Sequence, residues 1–257
     1  MTSDCLQVTG LRVEFGGLVA VDDLSLTAPF GWITGLIGPN GAGKSTSFNA
    51  CCGIVRPAAG SIVLGGNDLK GLGVAERSRR GLGRTFQRME LFDSLTVADN
   101  VALGREGGLA GRSPLRQTWA SRAERRMVAD VAEEAMHRCG ITDLASTRVR
   151  SLSTGHRRLV ELARVLAGRY RLLLLDEPSS GLDTEETNRF AEVVRDAVAQ
   201  TGTGVLLVEH DIALVVSLCE RITVIDFGRP IFEGTATEVQ QSPVVRAAYL
   251  GCEEAVT

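Results

Sequence analysis

Residues Trp32-Ile33-Thr34-Gly35-Leu36-Ile37 form a short, almost continuous apolar run that leads straight into Gly38-Pro39-Asn40-Gly41-Ala42-Gly43-Lys44-Ser45-Thr46. An apolar run of that length reads as a buried strand. Lys44 to Cys52 reads as the helix that the loop opens, with Gly53 as its stop. A GxxxxGK[ST] loop between a strand and a helix is a phosphate site. Its glycines let the backbone fold tightly enough to aim several N–H groups at one polyphosphate, and the helix adds its positive end.

The rest of the chain is organised around that unit. Leu6, Val8, Leu11, Val13 and Phe15 alternate with polar residues, and Val19 to Leu26 does so less cleanly, which predicts an antiparallel hairpin-like start. Pro57 and Gly60 bracket a turn before a strand Ser61–Leu64. From Leu91 to Arg150 strand signals are few, and Trp119, Ala123, Met127, Val131, Ala135 and Cys139 predict a helix face closed by Gly140. Gly104 to Pro114, rich in Gly and Arg, reads as a loop. Beyond it, helix Gly155–Ala167, strand Leu172–Leu175, helix Thr184–Gln200, strand Val205–Val208, helix Asp211–Cys219 and strand Ile222–Ile225 alternate. Such alternation predicts a mainly parallel sheet with helices on both faces. The tail reads as two short helices, Ala236–Gln241 and Val244–Leu250.

The strand Leu172–Leu175 ends in Asp176 and Glu177. Open α/β sheets bind ligands at the carboxyl edge of their strands. Asp176 is therefore a candidate metal ligand beside Ser45, and Glu177 a candidate general base for an attacking water. Lys44 is placed to reach β and γ phosphates, with Ser45 holding Mg²⁺ through its hydroxyl. His210 follows a strand parallel to the one bearing Asp176, so it emerges at the same edge, within reach of a γ-phosphate. A lone histidine at a strand end is otherwise structural. Gln87 falls where the α/β core hands over to the helical block, where an amide could touch Mg²⁺ or the attacking water and move with that block. Phe15, before Gly16-Gly17, has two readings: a ring stacked on adenine, or a core aromatic at a strand end.

Composition limits the alternatives. Net charge is −3, which argues against a general nucleic-acid binder. Arginines cluster at Arg79, Arg80, Arg84 and Arg88, and at Arg122, Arg125 and Arg126; solvated helix faces are the first reading and docking onto a partner the second. No apolar run approaches the ~20 residues that span a bilayer. The start Met1-Thr2-Ser3-Asp4-Cys5 has neither a basic region nor an apolar core of a secretory signal. The six cysteines show no CxxC or zinc-like spacing, consistent with free thiols in a reducing compartment.

Taken together, the phosphate loop, Gln87, Leu152–Arg158, Leu172–Glu177, Ser179–Asp183 and His210 resemble the nucleotide-binding subunit of an ATP-binding cassette (ABC) transporter. The resemblance implies an α/β fold: a RecA-like P-loop NTPase core, an antiparallel β subdomain and an inserted helical subdomain. It implies one domain over 1–257, with a core of about 1–87 and 155–257 and a helical subdomain of about 88–154. It also implies ATP and Mg²⁺, and two such subunits sandwiching two ATPs, so that Ser153 and Gly155 of one face the γ-phosphate held by Gly38–Ser45 of the other. Partners would be integral-membrane permeases, a second ATPase subunit (a copy or a paralogue) and, indirectly, a solute-binding protein, with no nucleic acid. The place of work would be the cytoplasmic face of the cell membrane.

Phe15-Gly16-Gly17-Leu18, Arg84-Thr85-Phe86-Gln87, Leu91-Phe92, Leu95-Thr96-Val97 with Asn100-Val101, Glu209-His210-Asp211 and Tyr249-Leu250-Gly251 resemble the ATPases of branched-chain amino-acid importers. Urea or amide importers and lipopolysaccharide-export ATPases share parts of the pattern. One departure stands out. Where the family has Leu-Ser-Gly-Gly-Gln, this chain has Thr154 and His156, which bears on turnover rate. A non-transport ABC ATPase acting on ribosomes or nucleic acid is the main alternative, but paired cassettes, long coiled coils and basic arms are absent. A GTPase or kinase would leave the Ser153 segment unexplained, and NKxD is missing.

Overall fold

The computed structural model describes residues 4–85, 90–109 and 121–250. Phe86, Gln87, Arg88, Trp119, Gly251 and residues 110–114 of the expected loop lie outside that set. In chain order the first elements are β1 (Cys5–Phe15), β2 (Leu18–Pro29), β3 (Ile33–Ile37), α1 (Lys44–Cys52), β4 (Ala59–Leu64), β5 (Asn67–Asp68), α2 (Val74–Arg79) and β6 (Leu82–Arg84). Next come α3 (Val97–Leu109), α4 (Arg122–Arg138), α5 (Thr154–Ala167), β7 (Leu172–Asp176) and α6 (Thr184–Thr201). The last are β8 (Gly204–Val208), α7 (Ile212–Leu218), β9 (Arg221–Asp226), β10 (Arg229–Gly234), α8 (Ala236–Gln241) and α9 (Pro243–Leu250).

The chain divides into two compact units. The first takes in the described residues within Met1–Arg84, Arg171–Glu177 and Val198–Thr257. It holds an antiparallel sheet of order β2-β1-β4-β5 and a six-stranded sheet of order β10-β9-β3-β8-β7-β6. In the larger sheet β9, β3, β8, β7 and β6 run parallel, and β10 closes one edge antiparallel to β9. Every residue of β3, β7 and β8 is buried, as parallel strands covered on both faces require. The two sheets share one core with α1, in which Leu6, Leu24, Phe48, Leu64, Leu174 and Leu206 are fully enclosed. The predicted opening hairpin is β1–β2, turned through Gly16 and Gly17, both at positive φ (54° and 91°). Only glycine takes that pair of conformations without cost. The pairing register shifts between Val8 and Leu11, which accounts for the missed beat in the apolar alternation.

The second unit takes in the described residues within Thr85–Tyr170 and Pro178–Ala197. It differs from the 88–154 expected in taking in α5 and most of α6 together with α3 and α4. Two local readings change here. The buried face of α4 is Val128, Val131, Ala132, Ala135 and Met136, followed by Cys139, whereas Ala123 and Met127 are exposed. At 3.6 residues per turn a strict spacing of four drifts round the helix, so only its C-terminal half stays on the packed side. The stretch 104–109, read as loop, is helical and belongs to α3. A β-carbon on Gly104 would stand 1.8 Å from the Arg164 carbonyl oxygen of α5, so this glycine permits two helix backbones to approach.

Gly104→Ala should therefore destabilise the protein, although alanine in a helix gains ~1 kcal/mol in propensity over glycine. Overpacking against backbone costs typically about 1–3 kcal/mol, and here no side chain can yield. A lowered denaturant midpoint at unchanged slope is the expected result. A midpoint equal to or above that of the parent would show that the helices simply separate.

Candidate nucleotide site

The phosphate loop leaves β3 at the carboxyl edge of the parallel sheet. Gly38, Gly41 and Gly43 have φ of 156°, 81° and 99°. Gly38 and Gly43 have no room for a side chain: a β-carbon would lie 2.1 Å from the Ile225 carbonyl oxygen and 2.5 Å from that of Ala20, respectively. Pro39 and Ala42 are buried, Asn40, Gly41 and Ser45 are exposed, and Thr46 is half-buried. A β-carbon on Gly41 would meet nothing within 4 Å, so the loop is closed on its protein side and open on the other. That is the shape of a backbone cradle.

Lys44 is the first residue of α1 and is buried. Its ammonium donates to the carbonyls of Gly38 (2.6 Å) and Pro39 (2.8 Å), which folds the side chain over its own loop. Burial pushes the ammonium pKa down, while the carboxylates of Glu177 and Asp176 pull it back up. The three charges thus sense one another at one sheet edge.

Asp176 ends β7 and is 2% exposed. Burial pushes its carboxyl pKa up, against the guanidinium of Arg84. Arg84, the last residue of β6, donates Nη2 to Asp176 Oδ2 at 2.9 Å and Nη1 to Asn49 Oδ1 at 2.6 Å. Reading the Arg79–Arg88 cluster as a solvated face is thereby corrected for Arg84; Arg79 and Arg80 are exposed as expected. Neither Asn49 nor the pairing of Arg84 was visible in the sequence, since Asn49 belongs to no motif and the string Arg84-Thr85-Phe86-Gln87 does not say what its arginine contacts.

Glu177 sits at φ 46°, a left-handed conformation unusual for a non-glycine residue. Its N–H donates to the Val208 carbonyl of β8 at 2.9 Å, which anchors the turn. Backbone strain of this kind costs on the order of 1–3 kcal/mol and gathers at functional sites. His210 follows β8, exposed, with its backbone N–H donating to Glu209 Oε2 at 3.2 Å and Nδ1 3.7 Å from the same oxygen. The Glu209 side chain is fully enclosed beneath it, a contact that the string Glu209-His210-Asp211 did not reveal. Phe15 ends β1 and is 48% exposed, so it is not a core aromatic. Gln87 lies outside the described residues.

In the second unit, Ser153 caps α5, its Oγ accepting from the His156 N–H at 3.3 Å. The same Oγ lies 3.0 Å from His156 Nδ1, so the unusual histidine is a direct partner of the serine hydroxyl. Gly155 is buried, and a β-carbon there would come 2.2 Å from Glu186 Oε1.

Among the described residues no group of three or more His, Cys, Asp or Glu side chains could hold a metal, and no helix is long and apolar enough to cross a membrane. The donor set that the first unit does offer, one serine hydroxyl and one carboxylate beside a phosphate cradle, suits Mg²⁺. That ion is commonly held by one or two carboxylates together with substrate phosphates.

Residues 21–180 match the ABC transporter family, and residues 229–253 match the branched-chain amino acid ATP-binding cassette transporter family. The chain is 37% identical over 253 residues to the high-affinity branched-chain amino acid transport ATP-binding protein LivG of Salmonella typhimurium, covering 98% of this chain and 99% of that protein. It is 38% identical over 249 residues to the lipopolysaccharide export system ATP-binding protein LptB of Escherichia coli, covering 96% and 97%. A crystallised ATP-binding cassette of an ABC transporter in its ADP conformation superposes with a TM-score of 0.85 at 28% identity, covering 96% of this chain and 99% of the other.

Proposed function

Since this chain belongs to the ABC transporter family, we propose that it is the ATP-hydrolysing subunit of an importer for branched-chain amino acids or related small solutes. The observation that carries the solute class is the tail match over residues 229–253, added to full-length similarity to LivG. The comparable identity to LptB supports a second reading, lipopolysaccharide export. The tail match is described for branched-chain amino acid transporters and so favours the first reading.

In the proposed cycle Gly38–Thr46 cradles the ATP phosphates, and Lys44 turns from its own loop carbonyls to the β and γ groups. Ser45 and Asp176, with Gln87, would hold Mg²⁺, whose charge offsets that of the phosphates. Glu177 accepts a proton from water while the water oxygen bonds to the γ-phosphorus; the bond from that phosphorus to the β–γ bridging oxygen breaks, leaving ADP and phosphate. His210 donates to a γ-oxygen, Phe15 stacks on adenine, and Ser153 and Gly155 of a second subunit complete the site. That subunit is a copy or a paralogue. Work is done at the cytoplasmic membrane face on separate permeases, in concert with a solute-binding protein.

The experiment is reconstitution of the chain with the permeases encoded beside it, followed by uptake of labelled leucine. ATP-dependent uptake is the expected result. A protein recovered only as a monomer, fully active at any dilution and indifferent to permeases, would end the transport reading. Gln87→Ala should reduce uptake at least tenfold more than it weakens nucleotide binding, because the amide is asked to relay γ-phosphate occupancy and not to hold the nucleotide. Equal losses in the two assays would assign Gln87 to binding alone.

A further inference from the structure

The parallel register sets Arg84 of edge strand β6 opposite Leu174 of β7, and Asp176 lies two residues further along, on the same face of that strand. The guanidinium reaches acceptors on different elements, Asp176 Oδ2 on β7 at 2.9 Å and Asn49 Oδ1 on α1 at 2.6 Å, and it also hydrogen-bonds Cys52 of α1. Asn49 stands four residues after Ser45 on α1, so the two share a helix face. One planar fork therefore ties the helix that begins with Lys44 and Ser45 to the strand end that carries the acidic metal candidate. We propose that Arg84 is a positioning residue that fixes the spacing between the Ser45 helix and the Asp176 carboxylate, and so sets how well the site accepts a divalent cation with the nucleotide.

The inference rests on the Mg-ATP reading above and adds a residue outside the phosphate motifs to it. Its physical basis is the cost of the arrangement. The side chains of Arg84 and Asp176 are 12% and 2% exposed. An enclosed ion pair adds little net stability over an apolar pair of the same shape, but it does hold two groups in one geometry. Mg²⁺ tolerates little departure from octahedral geometry, so the site has a use for that rigidity. Lysine is a point charge on a flexible stem and lacks the rigid planar fork that would hold Asn49 and Asp176 at a fixed spacing. Arg84 is also three residues before Gln87, so the same fork anchors the chain where it leaves the sheet.

The test measures ATP affinity by calorimetry with Mg²⁺ and with EDTA, for the parent, Arg84→Lys, Arg84→Ala and Asn49→Ala, alongside melting curves. The expected result is a ratio of Mg-ATP to metal-free affinity that falls about tenfold in Arg84→Ala and in Arg84→Lys. Asn49→Ala should shift it in the same direction, and the Arg84→Ala/Asn49→Ala pair should add little, because both remove one bridge. A purely structural ion pair would lower the melting temperature and leave the ratio alone, and that outcome overturns the proposal. Should Arg84→Ala fail to fold, Arg84→Lys and Asn49→Ala decide by the same ratio. A parent protein that binds no ATP at all would overturn the nucleotide reading together with this one, and it shows before any variant is made.

Discussion

Glu177→Gln should bind Mg-ATP about as the parent does and hydrolyse it at least a hundredfold more slowly. The carboxamide keeps the shape of the side chain but cannot take a proton from water, and general-base assistance is worth roughly 10²–10⁴ in rate. Because the nucleotide then persists, ATP-bound dimers should accumulate, visible as an earlier peak in size-exclusion chromatography with ATP. Parent-like turnover in the purified variant would remove Glu177 from the chemistry. The backbone supplies a control. Glu177 occupies φ 46°, which glycine adopts freely, so Glu177→Gly should be as inactive as Glu177→Gln yet no less stable to heat. A variant that loses stability as well as activity would show that the side chain holds the turn together.

Lys44→Ala should lose at least tenfold in ATP affinity and most of its turnover, with a small change in melting temperature. The ammonium is buried and donates to two carbonyls of its own loop, Gly38 and Pro39. Its removal forfeits those hydrogen bonds but also the cost of enclosing a charge, which burial registers as a lowered pKa. These opposing contributions leave stability little changed. Toward a triphosphate nothing offsets the loss, since the loop Gly38–Thr46 carries no cation besides Lys44. Calorimetry at fixed Mg²⁺ measures the difference. Equal affinity in parent and variant would mean that the backbone cradle alone carries phosphate binding.

The parts of the site that were legible in the sequence are those written in consecutive residues. Gly38, Gly41 and Gly43 announce their positive φ because other residues pay a steric penalty there, and Lys44–Cys52 with Gly53 behind it is bounded as read. Strand β7 with Asp176 at its end was equally plain, because an all-apolar run finishing in carboxylates has few other uses. Where spacing alone was used, it misled. The four-residue stripe through Ala123 and Met127 drifts off the packed face of α4. The stretch from Gly104 onward looks like a loop until the Arg164 carbonyl of α5 is brought against Gly104. Edge strand β6 and hairpin strand β10 were not anticipated, for three residues and a Pro-containing run give too little periodicity to read.

The sequence by itself determined the phosphate loop, the buried parallel strands and the two carboxylates that follow β7, because glycine conformation, apolar burial and chain order act between neighbours. Tertiary structure alone decided that Arg84 leaves the surface to join Asn49 and Asp176, that Gly104 exists to admit the Arg164 carbonyl, and that Glu177 is held in a left-handed turn by Val208. Each of those facts depends on which strand or helix lies beside which. That order is set by burying all the apolar faces of a unit at once, so no local window of residues contains it.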